Sequence, residues 1–301
     1  MAGSSKIAVI SALVGNGLIA ITKFGAASYT GSSAMLSEAI HSLVDTGNQY
    51  LLLHGMKQAE KPPSSQHPFG HGKELFFWSF VVAMVIFGVG AGLSIYEGVH
   101  ALMAPKPVEN AFVNYIVLGF SMLFEGGASA IAIREFYRRK GDMGVIEAIK
   151  RGKDPALFTV VMEDSAAVIG LAVAAVGIFL NDRFGLLWGD GLASIVIGLL
   201  LAGVAAFLAR ESKALLIGEA AEDHVVDEIR DILRTDRRVM GAKRVMTMHL
   251  GPEDIMLAVD VDFSDKLSAD EVEATILELE GAIKTRLPDI TRIYIEAVTL
   301  R

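Results

Sequence analysis

Six long apolar stretches constrain this chain more than any other feature, because together they leave a bilayer as the natural solvent for most of it. They run over about 7–28, 33–56, 76–101, 111–133, 156–180 and 185–209. A helix needs roughly 20 mostly apolar residues to cross the hydrocarbon core. In lipid every backbone N–H and C=O must also be satisfied within the segment, which makes helices the expected form. The breaks are equally legible: Tyr29-Thr30-Gly31, Lys57 to Gly72, Pro105-Lys106-Pro107, a polar stretch from Arg134 to Asp154, and Asn181-Asp182-Arg183. With 52% of its 301 residues apolar, the chain is too greasy for an ordinary soluble domain. The excess stops near residue 213, so the sequence predicts a six-helix transmembrane domain over 1–213 and a cytoplasmic domain over 214–301.

Basic residues orient the spans. Arg134, Arg138, Arg139, Lys140, Lys150, Arg151 and Lys153 crowd the fourth connection, and Lys57, Lys61 and Lys73 the second. Arg210 and Lys213 follow the last span, whereas the opposite side shows only Lys106 and Arg183. Lys and Arg accumulate on the cytoplasmic side, which puts both termini there. Only Met1 to Ser5 precede the first apolar run, so the expectation is a permanent anchor and a multi-pass protein of the cell (inner) membrane. The net charge of −8, concentrated in the tail, argues against nucleic acid as a partner. Gly88, Gly90 and Gly92 lie inside a span and follow no strand, so they read as helix packing rather than a phosphate loop.

Ionisable groups inside a span are expensive and by default mark an ion path. Glu38, His41 and Asp45 stand in the second span, Glu125 in the fourth, and Glu163 with Asp164 in the fifth. A four-residue spacing stacks His41 and Asp45 on one helix face, and Glu38 and Asn48 extend that stripe. An imidazole and a carboxylate so placed can grip one small cation, or can simply hydrogen-bond within a dry core. Glu163 and Asp164 are about 100° apart on a helix, so they cannot serve one ion equally; Asp164 is the first choice and Glu163 the reserve. Glu125 reads as a ligand, a proton carrier or the partner of an unseen donor. There is no cysteine, which excludes disulfides and thiolate metal sites. One imidazole with carboxylates suits Zn2+, and less specifically Co2+, Fe2+ or Ni2+; an all-oxygen set leans toward Mn2+.

At these residues the chain resembles the cation diffusion facilitators, six-helix metal–proton exchangers with a cytoplasmic C-terminal domain. The matching segments are Ser37-Glu-Ala-Ile-His-Ser-Leu-Val-Asp45, His67-Pro-Phe-Gly-His-Gly-Lys-Glu74, Tyr96-Glu-Gly98 and Asp190-Gly-Leu-Ala-Ser194. With Glu163-Asp-Ser-Ala-Ala-Val168, the pattern looks closest to the branch containing the mitochondrial zinc transporter of animals. The resemblance implies a transport site with two ligands from the second span and two from the fifth, four residues apart in each. His41 and Asp45 fill the first pair and Asp164 the later place of the second. The earlier place is Val160, where typical zinc exporters have His, which opens the fourth position to Glu163, Glu125 or water. The resemblance also implies a second ion at His67 and His71, although Ser64 or Ser65 stands where its companion acid would be; packing by the His-Pro-Phe-Gly turn is the alternative. Homodimerisation is expected on the same ground.

Beyond Gly218 the spacing becomes helix–strand–strand–helix–strand, which suits a small α+β, ferredoxin-like domain. Leu257, Val259, Val261 and Phe263 share one face of the second strand, and Asp260 and Asp262 the other, which reads as solvated. The function expected is efflux of a divalent metal, most simply zinc, coupled to proton antiport. A metalloenzyme would need a motif such as H-E-x-x-H, which the sequence lacks, so no enzyme is expected. A membrane scaffold that senses metal without carrying it is the alternative.

Overall fold

The computed structural model describes residues 2–140 and 155–299, so Lys150, Arg151 and Lys153 of the basic stretch lie outside the described residues. Contacts divide the chain into a helical unit, 1–56 with 77–212, and a second unit, 57–76 with 213–301.

The helical unit is built from long helices that cover the apolar stretches. They are α1 (Ala2–Thr30), α2 (Ser33–Ala59), α3 (Glu74–Val85), α4 (Gly92–Met103), α5 (Ala111–Lys140), α6 (Pro155–Phe184) and α7 (Trp188–Ile217). A π-helical turn, Ile86–Ala91, joins α3 to α4 into one rod. Among the described residues three rods are long and apolar enough to cross a membrane by length and composition: Glu74–Met103, Val161–Phe184 and Trp188–Ile217. Ala111–Gly127 is a shorter apolar helix. In α2 the run of apolar residues is diluted by Glu38, His41, Asp45 and Asn48.

Gly31, at φ 68°, ends α1, since its N–H still reaches Ala27 O while its backbone turns left-handed. One residue later Ser32 caps α2, its Oγ accepting from Met35 N at 3.1 Å. The remaining donors of that helix end go to α7. Asp190 accepts from Ser32 Oγ (2.6 Å), Ser33 N (2.6 Å) and Ser33 Oγ (2.8 Å). An anion on the positive end of a helix is favourable, and here the whole cluster is buried. The hydroxyls of Ser37 and Ser194 share a hydrogen bond lower down the same contact, and Ser194 Oγ donates to Ser94 O at 2.9 Å. These bonds fix the start of α2 against α7 and α4.

The close helix packing expected of Gly88 and Gly92 lies elsewhere. A methyl at Gly88 would meet open space, whereas one at Gly98 would strike Gly191 O at 2.7 Å and one at Gly198 would strike Ala91 O at 3.0 Å. The residues that let α4 and α7 touch backbone to backbone are therefore Gly98, Gly191 and Gly198.

In the second unit α8 (Asp223–Thr235), β1 (Val239–Gly251), β2 (Asp254–Phe263), α9 (Ala269–Arg286) and β3 (Ile290–Ala297) follow in order. The sheet has three strands in the order β1-β2-β3, with β1–β2 antiparallel and β2–β3 parallel. Ile255, Leu257, Val259, Val261 and Phe263 alternate into a core completed by Ile229 and Leu233 of α8 and Leu279 and Ile283 of α9. Asp260, expected on a solvated face, is instead 4% exposed on the central strand, where its carboxylate accepts from Arg244 Nε at 2.6 Å.

Candidate metal-transport site

Helix α2 supplies the centre of the site. His41 and Asp45 stack as their spacing requires, with Nδ1 3.4 Å from Oδ1. The angle is wrong for a hydrogen bond. Both ring nitrogens of His41 and Oδ1 of Asp45 are buried without a hydrogen-bond partner among the described residues. Buried polar atoms are nearly always paired, and each orphan costs about 1–3 kcal/mol. A neutral imidazole carries one N–H and one lone pair, so the stack offers the lone pairs of one ring nitrogen and of Oδ1 to a cation.

Helix α6 faces this set with carboxylates. Glu163 is 5% exposed and its Oε1 accepts from Asn48 Nδ2 at 2.8 Å, which ties it to the α2 stripe one turn beyond Asp45. The charges acting on Asp45 include Glu163, Glu125 and Asp164, with Lys23 opposing them. Asp164 is only partly buried. The geometry thus joins Glu163, the reserve of the sequence reading, directly to α2, and leaves Asp164 within electrostatic reach. No group of three or more His, Asp or Glu side chains is gathered at ligand spacing among the described residues.

Glu125 has a different companion. Lys23 of α1, 0% exposed, places Nζ 2.9 Å from Glu125 Oε1, 3.0 Å from Glu38 Oε2 and 2.8 Å from Ser42 Oγ. Lys23 is the donor the sequence reading left unseen. The signal is present: a lysine inside the first apolar stretch, with unmatched acids in two others. Spacing alone does not expose it, since Glu125 lies 102 residues away. The cluster engages one oxygen of Glu38 and one of Glu125, so the stripe on α2 divides into a lysine-bonded half and a His41–Asp45 half.

The loop histidines belong to the second unit. The rings of His67 and His71 lie 4.5 Å apart, and His71 Nδ1 is buried without a partner among the described residues. Ser64, at the place of the companion acid, accepts from His67 N through its hydroxyl at 3.1 Å and so serves the turn. The turn is also packed. Gly72 lies against the backbone of Leu250, where any side chain would collide, and Arg292 sits 6.0 Å from the centre of the Phe69 ring. His249 is 4% exposed near the end of β1, and its backbone N–H donates to Glu219 O at 3.0 Å.

Residues 9–217 match the cation efflux transmembrane domain. Over 269 residues the chain is 34% identical to the proton-coupled zinc antiporter SLC30A9, mitochondrial, of Xenopus laevis, covering 89% of this chain and 48% of that protein. It is 34% identical over 265 residues to metal tolerance protein C4 of Arabidopsis thaliana, covering 87% of this chain and 58% of that protein. It is 24% identical to the manganese efflux system protein MneP of Bacillus subtilis, covering 97% of this chain and 95% of that protein. The chain spans about half the length of the frog antiporter and somewhat more of the plant protein.

Proposed function

The chain belongs to the cation efflux family, whose members carry divalent metal ions across membranes, and on that footing we propose that it exports zinc in exchange for protons. The observation that carries the reading is the set of unpartnered buried atoms on His41 and Asp45, faced by the carboxylates of α6. His41 and Asp45 bind the ion from α2, and Asp164 and Glu163 complete the site from α6. Glu125, engaged by Lys23, stays outside the ligand set. The two acids flanking Asp45 offset a dication in surroundings where electrostatic interactions are strong.

Metal ligands must be deprotonated, so loading the site expels protons, and returning protons displace the ion. Exchange then needs only that the site face one side with metal and the other with protons. The name of the frog relative, a proton-coupled zinc antiporter, supports both the cargo and its coupling. The Bacillus relative is named for manganese, so manganese belongs in any test of selectivity, with cobalt, iron and nickel. The reading includes a homodimer in the cell membrane, six spans over 1–213, both termini in the cytoplasm, and a ferredoxin-like domain over 214–301.

Purified protein in liposomes, given zinc outside and an imposed pH gradient, tests the proposal. Zinc uptake that follows the size and sign of the gradient is expected. Binding without gradient-driven uptake would make the protein a metal-sensing scaffold.

A further inference from the structure

We propose that Glu38 and Glu125 frame a second buried divalent-cation site, which the ammonium of Lys23 occupies and keeps closed to metal. The Nζ of Lys23 stands where an ion would stand, with three oxygens around it: Ser42 Oγ at 2.8 Å, Glu125 Oε1 at 2.9 Å and Glu38 Oε2 at 3.0 Å. Two more oxygens, Glu38 Oε1 and Glu125 Oε2, are buried without a hydrogen-bond partner among the described residues. The ammonium has three protons and has spent each on one oxygen, so it cannot satisfy these two.

The charge count points the same way. Two carboxylates face one ammonium, which supplies half the positive charge that a dication would. Lys23 and Glu38 are 0% exposed, and water is not at hand to make up the difference. The site is also closed from above: a methyl at Gly170 of α6 would run into Oε1 of Glu38. Its donors are all oxygen and two are anionic, the chemistry of a hard ion such as manganese(II) or magnesium rather than of zinc, which the imidazole of His41 favours. Hence Lys23 limits the chain to the exchangeable ion at His41 and Asp45, and it keeps metal out of a buried dicarboxylate from which release would be slow. The inference does not depend on which ion is carried.

Counting bound manganese(II) by electron paramagnetic resonance, on full-length protein in nanodiscs, tests it. Lys23→Ala is expected to bind one more ion per protomer than the wild type, and Lys23→Arg no more than the wild type. The gain should vanish when Glu125→Gln is added to Lys23→Ala. A folded Lys23→Ala protein with the wild-type count overturns the proposal, as does an extra ion that persists in the double variant. Should Lys23→Ala fail to fold without metal, recovery of a monodisperse, cooperatively unfolding protein on adding manganese(II) supports the site. Failure of manganese(II) to restore folding overturns it.

Discussion

Lys23 on α1 and Glu125 on α5 meet at 2.9 Å inside the helical unit, and Glu38 on α2 closes the triangle. Three helices are thereby pinned by one side chain. Removing the lysine leaves two carboxylates facing each other with no counter-charge, whereas Glu125→Gln leaves one ammonium opposite one carboxylate and keeps an oxygen to accept. Breaking a buried pair by deleting one partner costs about 3–5 kcal/mol. In metal-free unfolding measurements, Lys23→Ala should therefore lose several-fold more stability than Glu125→Gln. Equal losses would show that the charge balance at this point does not matter.

The proposed ion site is tested from both helices. If Asp45 and Asp164 hold a dication in low-dielectric surroundings, Asp45→Ala and Asp164→Ala should each abolish transport. His41→Asp exchanges a nitrogen ligand for an oxygen, which should weaken zinc and favour manganese relative to it. Glu163→Gln retains the Asn48 hydrogen bond while removing the charge, so a loss of affinity there identifies Glu163 as a ligand. Competition uptake with both metals in the same liposomes reads all four variants, and an unchanged zinc preference in His41→Asp would remove the ion from this helix.

Orientation has a clean test because the sequence contains no cysteine. A single cysteine placed at Ser268 should resist an impermeant thiol reagent applied to intact cells and react after permeabilisation. Reaction from outside would reverse the assignment of the C-terminal domain.

Asp190→Asn should loosen the start of α2. The amide presents an NH2 group to donors that need an acceptor, and one of the two carboxylate oxygens is lost to Ser32 or Ser33. Hydrogen bonds to charged groups contribute about 1.5–3 kcal/mol, so a stability loss of about 2 kcal/mol is expected. Transport should slow as well, since His41 lies little more than two turns further along the same helix. A variant with full stability would show that the serine hydroxyls suffice alone.

In the C-terminal domain, Ser268 and Glu271 form a capping box at α9, with the Ser268 N–H donating to Glu271 Oε2 at 2.7 Å. That backbone bond, and then the serine hydroxyl, hold the Glu271 carboxyl below its usual range. A carboxyl with a depressed folded value stabilises the helix start above its unfolded pKa, about 4.3, and stops doing so as pH falls through the lower folded value. Amide-exchange protection over the first turn of α9 should hold from neutral pH and decline only in acid. Glu271→Gln should flatten that dependence.

How much of this was legible in the sequence varies with the range of the interaction. Helix positions follow from local hydropathy, and the observed helices overlie the apolar stretches within a few residues at most ends, while running on beyond them by seven residues at Lys140 and eight at Ile217. The His41–Asp45 stack is also local, a matter of one helical turn. What the sequence did not disclose is where lone charges find partners. Lys23 is hidden from hydropathy because one lysine barely alters an apolar average, and its meaning depends on Glu125, which lies far along the chain. The same holds for Asp260, whose alternation puts it on a polar face and whose carboxylate finds its partner in Arg244 from the neighbouring strand. Gly88 and Gly92 misled for the opposite reason: small spacing is a local pattern, but close approach depends on which face the other helix meets.

The cap on α2 has a consequence for biogenesis. Asp190 lies 158 residues after Ser32, so on a chain made from its N-terminus α2 emerges long before the carboxylate that completes its first turn. Until α7 is inserted, Ser33 N lacks that acceptor, and an unpaired amide in lipid costs several kcal/mol. The first turn of nascent α2 is thus left without this acceptor until Asp190 of α7 arrives.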